Sequence, residues 1–385
     1  MAPREVSRGQ TLPDSSKTTD ETFQIYHKQS AQNETREKYR MDGSVKVCFT
    51  SDVHGNCGHL RRVLARATRE GCDVVVLGGD LAPRGSGMGF DGKTLRDTNL
   101  PHLPDGTPDW QHDGALTYMR DAFKRQGEWF TEVLIPMLAA CDVPSVCLFG
   151  NSDWKSHLET CQRAAASTHG HVRFVKGEGE MFTIASRTTT ATTVDVMACS
   201  LVPLCNHKKK DWERMDTRDV RDTSDRAPVR WGFVSAPGEE GGIKRCELPV
   251  TAEAAATTSM EAVLERLIAS CAEERKEKKP PAMWVLHPPP RDSIGDLTHR
   301  GERVGSIAIR RAIETHAPAV TLHGHIHESV EMHGGRFSEV VKSGEGGERE
   351  TVIVSVGNDF KLENPYVIFL DTAAPRDARR VEVLE

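Results

Sequence analysis

At 385 residues, with 37% hydrophobic and 28% charged, the chain can bury the core of one large α/β domain or two smaller ones. A net charge of −6 argues against a protein drawn as a whole to nucleic acid or anionic membrane, leaving only a local basic patch for that purpose. The ten cysteines are scattered without CxxC pairs, which disfavours a disulfide framework and a thiolate zinc site.

Residues 1–43 are polar and lack sustained apolar periodicity, so they read as a flexible arm. They contain no apolar core of the kind a signal peptide needs. No stretch of the chain approaches the roughly 18 uninterrupted apolar residues of a membrane span. With Cys48, Cys147 and Cys199 inside apolar runs as small hydrophobes, the expected compartment is the cytoplasm.

From Val45 onward short apolar runs alternate with amphipathic stretches, the pattern of βαβ units. Strands are predicted at Val45–Phe49 and Val74–Leu77, with a helix over His59–Glu70 between them. A helix over Ala115–Ala140, broken near Pro136, precedes a strand at Ser145–Phe149 and a helix over Trp154–Thr168. The texture then becomes β-rich, at Val172–Val175, Met181–Ala185 and Val194–Leu201. An insertion near 206–245 follows, and its stretch Lys208–Arg230 mixes both charge signs, as a solvated surface segment would. Helices over Ser259–Lys276 and Gly305–His316 alternate with strands at Met283–Leu286 and Ala319–Leu322. Val352–Val356 and Tyr366–Leu370 close a domain spanning 44–373, and 374–385 reads as a tail.

Five polar clusters each come directly after an apolar run. They are Asp52-Val-His54-Gly55, Gly79-Asp80, Gly150-Asn151-Ser152-Asp153, His287 before three prolines, and His323-Gly324-His325-Ile-His327. Alone, Gly-Asp or Gly-Asn is an ordinary turn, a His before prolines is a surface or packed residue, and the stronger His-Gly-His-X-His could still be an accidental His-rich loop. Together they fit the rule that binding groups in an open α/β sheet gather outside the carboxyl ends of the strands. Residues two apart on an extended backbone face the same side, which would bring Asp52 to His54 and His325 to His327. Gly55, Gly79, Gly150 and Gly324 leave room for tight turns or close approach. Carboxylate, imidazole and amide oxygen donors suit divalent Mn, Fe or Zn.

The ordered set Asp-X-His, Gly-Asp, Gly-Asn, His and Gly-His-X-His resembles the calcineurin-like metallophosphoesterase superfamily, over roughly Val45 to Leu370. The resemblance implies an α/β fold in which a two-sheet β-sandwich is flanked by helices, a four-layer α/β/β/α arrangement. It also implies two divalent metal ions, one bound by Asp52, His54 and His327 and the other by Asn151, His287 and His325, with Asp80 bridging. Asp80, Asn151 and His287 count as catalytic as well as metal-binding. The implied activity is phosphate-ester hydrolysis by metal-activated water. Many members carry His directly after the motif Asn. Here Ser152 stands at that position, and a hydroxyl cannot replace imidazole as an acid at neutral pH.

Asp153 is expected either to orient a metal ligand or to serve a turn. The stretch from His287-Pro-Pro-Pro through Gly305-Ser306 to Gly324-His325-Ile326-His327-Glu328-Ser329 is similar to a small subgroup of predicted phosphohydrolases. Ser306 would open a helix, either as its cap or beside a phosphate held by free backbone amides. The Gly/Pro-rich loop from Leu81 to about Asp113 is a candidate wall of the substrate cleft, with Arg84 a candidate phosphate contact. The expected substrate is a small phosphorylated molecule, a phosphodiester ahead of a monoester. A catalytically silent protein-binding scaffold is the alternative from another class, and it would be expected to lose ligands that this chain keeps. Lys208–Lys210 is the one obvious basic cluster, too little to suggest nucleic acid as substrate.

Overall fold

Parallel strands covered on both faces must be apolar along their whole length, and the runs from Val45 onward meet that requirement. The computed structural model describes residues 44–84, 102–105, 108–188, 192–221, 225, 228–275 and 282–384. The expected N-terminal arm and most of the loop after Arg84 lie outside the described residues.

The first sheet sets β1 (Lys46–Thr50), β2 (Val74–Gly78), β3 (Ser145–Leu148) and β4 (Val172–Phe174) side by side and parallel. Next come β5 (Gly179–Ala185) and β6 (Thr193–Cys199), an antiparallel pair that starts the second sheet. Two small pairs interrupt it: β7 (Val202–Pro203) with β8 (Glu213–Arg214), and β9 (Trp231–Ser235) with β10 (Ile243–Glu247). The second sheet continues with β11 (Met283–Leu286), β12 (Val320–His323), β13 (Ser338–Ser343) and β14 (Arg349–Ser355). Finally, β15 (Tyr366–Asp371) and β16 (Arg379–Glu382) return antiparallel to the first sheet. The strand orders are β16-β15-β1-β2-β3-β4 and β13-β14-β12-β11-β6-β5.

Alternate residues of the central strands point to opposite sides. Val47, Phe49, Val74 and Val76 of the first sheet meet Val196, Val285, Leu322 and Val354 of the second in one apolar layer. Cys48, Val75 and Leu77 point the other way, as do Met197, Trp284 and Leu286. These residues pack with the apolar faces of α1 (Cys57–Arg69), α6 (Met260–Arg275) and α7 (Ile307–His316). The α/β sandwich flanked by helices is therefore the fold.

Between α1 and α6 come α2 (Gly114–Trp129), α3 (Ile135–Ala139), α4 (Leu158–Ala166) and α5 (Ala252–Thr258). The break expected near Pro136 is a π-turn over Phe130–Leu134 joining α2 to α3. Proline has no N–H to bond the carbonyl four residues back, and a widened turn is one way a helix takes up the mismatch. Ser259, in extended backbone, separates α5 from α6 and caps α6 through its hydroxyl, which accepts from the Ala262 N–H at 3.2 Å.

Two expectations change. The segment read as a tail contributes β16, whose Arg380 donates to the Val356 and Gly357 carbonyls at 2.7 and 2.9 Å. The first part of the charged stretch after Lys208 is not solvated, whereas Arg218, Arg221, Asp225 and Arg230 farther along it are exposed as expected. Lys209, Lys210, Asp211, Trp212, Glu213 and Asp216 are buried. Lys210 pairs with Glu213 at 2.6 Å, both side chains fully enclosed. Lys209 Nζ donates to the Ser152 carbonyl at 2.5 Å, and Trp212 Nε1 donates to the Asp153 carbonyl at 2.7 Å. A mixed-sign run reads as solvent-facing only while its partners are unknown. Here the charges satisfy one another and backbone carbonyls inside the fold.

Removing one member of a buried pair leaves the other desolvated. Lys210→Met should therefore cost about 3–5 kcal/mol, and Lys210→Met with Glu213→Leu much less. Chemical denaturation of the two variants checks this, and equal losses would contradict it.

Candidate metal centre

The polar clusters all follow strand ends: Asp52 and His54 after β1, Asp80 after β2, Asn151 after β3, His287 after β11, and His325 and His327 after β12. Asp52 and His54 do not lie on extended backbone, as their spacing suggested. Asp52, His54, Asp80 and His325 all adopt left-handed conformations, with φ of 59°, 45°, 54° and 70°. Such residues are costly unless the surroundings hold them, and they cluster where function requires it. The hold is visible. The Asp52, His54 and Gly55 N–H groups donate to the carbonyls of Gly79, Asp80 and Leu81 at 3.0, 2.9 and 2.7 Å, zipping one loop onto the other. Between the β11 and β12 loops, the Gly324 N–H donates to the His287 carbonyl at 3.0 Å.

Asp80 lies between two imidazoles. One oxygen is 3.6 Å from His54 Nε2 and the other 3.5 Å from His287 Nε2. His54 Nε2 faces His327 Nε2 at 3.3 Å, and His327 Nε2 stands 3.3 Å from Asp52 Oδ1. On the other side, His287 Nε2 is 3.3 Å from Asn151 Oδ1, and the His325 ring crosses that of His287 edge to face at 5.0 Å. His287 Nδ1 bonds the Gly78 carbonyl at 2.8 Å, leaving Nε2 as the lone-pair nitrogen facing Asp80 and Asn151.

The donor set fits divalent cations. Asp52 Oδ1 is buried without a hydrogen bond of acceptable geometry, although Oδ2 accepts the His325 N–H at 2.9 Å. The donor atoms of Asp52, His54 and His327 lie within 4.8 Å of one another, as do those of Asp52, Asp80 and His287. Burial holds His54 well below the usual imidazole range and His325 down at about 3, so both offer lone pairs. At His327 burial works the same way, but the Asp359 and Asp52 carboxylates outweigh it and lift the ring to about 9. The field that would hold a proton there equally favours a metal cation. At Asp80 burial opposes ionisation, but surroundings that include the Arg84 guanidinium and the Ser152 N–H hold the carboxyl well below its usual range.

The model of the calcineurin-like phosphoesterase family matches residues 45–329. The chain belongs to that family. It is therefore a phosphoric ester hydrolase with a candidate metal site. Among solved structures it is similar to a dimetal phosphatase from Danio rerio, at 11% identity over 89% of this chain and 99% of that one, with TM-score 0.42. It is also similar to an archaeal phosphodiesterase, at 10% identity over 88% and 99%, with TM-score 0.35. A Thermus thermophilus protein aligns at 14% identity over 89% and 100%, with TM-score 0.42. No curated protein matches the chain significantly.

In this phosphoesterase, Ser152 is fully buried, and its N–H and hydroxyl donate to the two oxygens of Asp80 at 2.7 and 2.9 Å. Asp153 accepts from the Leu81, Ala82 and Gly150 N–H groups at 2.9–3.2 Å, pinning the turns that carry Asp80 and Asn151. Burial and the Asp80 charge push its carboxyl up to about 7. Arg84 reaches the rings of His54 and His327 at 3.1 and 3.2 Å and stacks over Phe360, at the edge of the centre.

Ser306 lies apart from these residues. It caps α7, and the amides a phosphate would need are taken by Asp216. That carboxylate accepts from the Ser306 hydroxyl at 2.5 Å and the Ile307 N–H at 2.6 Å.

A cavity of about 290 Å3 opens beside the centre, lined by Asp80, Asn151, His325 and His327, with Arg84 and His207 among its walls. His207 was not among the expected site residues, because its Cys-Asn-His-Lys context carries no recognisable spacing. Asp359, 3.6 Å from His327 Nδ1, was also missed. It follows β14 in the run Gly357-Asn358-Asp359, so it was open to the same strand-end reading that found the others.

Ser306→Ala should lower stability by about 0.5–2 kcal/mol, the value of a helix cap, with KM unchanged. Denaturation and steady-state kinetics together check this. A raised KM at unaltered stability would restore the phosphate role.

Proposed function

We propose that the protein hydrolyses small phosphate esters at a dinuclear centre. Asp52, His54 and His327 would hold one divalent ion, Asn151, His287 and His325 the other, and Asp80 both. The observation that supports this most is the placement of Asp80, with one oxygen toward His54 and the other toward His287. Manganese, iron or zinc ions would supply Lewis acidity to the phosphoryl oxygens and ease deprotonation of the attacking water.

The reaction adds water across one ester P–O bond, releasing the alcohol and leaving the phosphate product. The chain's own groups prepare that step. Ser152 fixes the orientation of Asp80, Asp153 stiffens the two turns around it, and Asp359 orients His327. Arg84, at the cavity wall, is placed to meet phosphoryl oxygens with a planar fork of donors.

Phosphodiesters are favoured over monoesters. With its hydroxyl committed to Asp80, Ser152 offers no proton to a poor leaving group. The small cavity suits a small-molecule substrate. Lys209 and Lys210 are enclosed and Lys208 stacks 3.5 Å above the Trp231 ring, so this cluster provides no basic track for nucleic acid. Among the described residues no helix is long and apolar enough to cross a membrane. The unpaired thiols of Cys48, Cys147 and Cys199 suit the reducing cytoplasm we propose as its setting.

Metal-stripped protein refilled with Mn2+ should hydrolyse bis-p-nitrophenyl phosphate ahead of p-nitrophenyl phosphate. Asp80→Asn should lose at least the 10–100-fold that even an outer partner of a ligand contributes. Elemental analysis should count two ions per chain. One ion per chain would overturn the dinuclear reading, and faster turnover of the monoester would overturn the diester preference.

A further inference from the structure

The segment after β7 brings to the cavity a group that the ligand set does not use. We propose that His207 contacts the substrate, its Nε2–H donating a hydrogen bond to the oxygens of the phosphate ester bound at the candidate metal centre. This rests on the phosphoesterase reading of that centre.

Three observations carry it. First, His207 lines the same cavity as Asp80, Asn151, His325 and His327, so a phosphoryl group seated against those residues lies in a space that His207 borders. Second, the ring is held at one nitrogen only. His207 Nδ1 accepts the Lys209 N–H at 3.4 Å, which places the proton of the neutral ring on Nε2. Nε2 makes no hydrogen bond to any described residue. A ring with one nitrogen fixed by backbone and the other without a partner among the described residues, in a residue that lines a polar cavity, is a donor lacking its acceptor.

Third, the loop that presents the ring is rigid. The Cys205 N–H donates to Glu213 at 3.1 Å, and Glu213 is locked to Lys210. The Lys210 and Phe233 N–H groups bond the Phe233 and Lys208 carbonyls, both at 2.8 Å. Lys209 Nζ ties the segment to the Ser152 carbonyl, one residue from Asn151. Donors held by packing and a second layer of hydrogen bonds are the ones that act at a reacting centre.

The chemistry of the ring agrees. Burial and the nearby Lys209 ammonium push His207 down to about 3, so near neutral pH it is an uncharged donor. Such a donor does not compete with cations for the carboxylates, yet can meet an anionic oxygen. Ser152 cannot serve instead, because both of its donors are spent on Asp80 inside the protein.

The test compares wild type with His207→Ala, His207→Phe and His207→Gln, all loaded with Mn2+ and checked for metal content and Tm. Calorimetric titration with inorganic phosphate should show affinity reduced about tenfold or more in the Ala and Phe variants, as for a lost hydrogen bond to a charged group. Gln, whose side-chain amide can replace the Nε2–H, should recover most of it. In the same order, kcat/KM for bis-p-nitrophenyl phosphate should fall and recover.

Unchanged phosphate affinity in the Ala variant, with metal content and Tm intact, overturns the assignment. Loss of metal from that variant also overturns it, since His207 would then hold the cations and not the substrate. Failure of the phosphoesterase reading has a different signature, a wild type without metal-dependent turnover, and the phosphate titrations still report on His207.

Discussion

Of the hydrogen bonds that cross from one sheet to the other at the candidate metal centre, the arrangement of the centre depends on two. His287, from the second sheet, bonds the Gly78 carbonyl of the first at 2.8 Å, and Asp52, from the first, accepts the His325 N–H of the second at 2.9 Å. Neither sheet holds a complete set of donors. The apolar layer between the sheets sets their separation, and these two bonds fix how their carboxyl ends meet. Close packing in that layer resists adjustment, so the donor positions are determined by the fold before any ligand arrives.

Asp80 sits where the sheets converge, and the surrounding residues answer the difficulty of burying a carboxylate. Two donors from Ser152 and the charge of the nearby Arg84 guanidinium offset its desolvation. The space for it comes from glycine. A Cβ on Gly150 would collide with the Asp80 carboxylate, and one on Gly79, where φ is +110°, would stand 2.5 Å from His287 Nδ1. The left-handed residues around it store strain that the zipped loops hold in place.

The inserted segment after β7 shows how far charge pattern can mislead. Lys209, Lys210, Glu213 and Asp216 lie inside, where Lys210 meets Glu213, Lys209 meets the Ser152 carbonyl and Asp216 caps α7. Those contacts stiffen the turn behind Asp80 and Asn151 and present His207 to the cavity. Asp216 also supplies the anion at the helix that Ser306 opens. The amides at that terminus already have their anion, supplied from a segment 90 residues away in the chain.

The strand runs, the order of the polar clusters and the side chains that gather beside Asp80 were legible in the sequence. Each is local: an apolar run buried on both faces can be read from its own residues, and the turn after it carries its own glycine and acid. Asp359 was legible by the same rule, and only its distance from the better-known motifs hid it. The left-handed turns at Asp52, His54 and His325, the burial of Lys209, Lys210, Glu213 and Asp216, the edge strand at Arg379–Glu382 and the meeting of His207 with the cavity were not legible. Each depends on a partner far along the chain: a zipped loop, a buried counter-charge or a neighbouring strand. Local sequence specifies which groups a segment offers, and tertiary packing alone decides what stands opposite them.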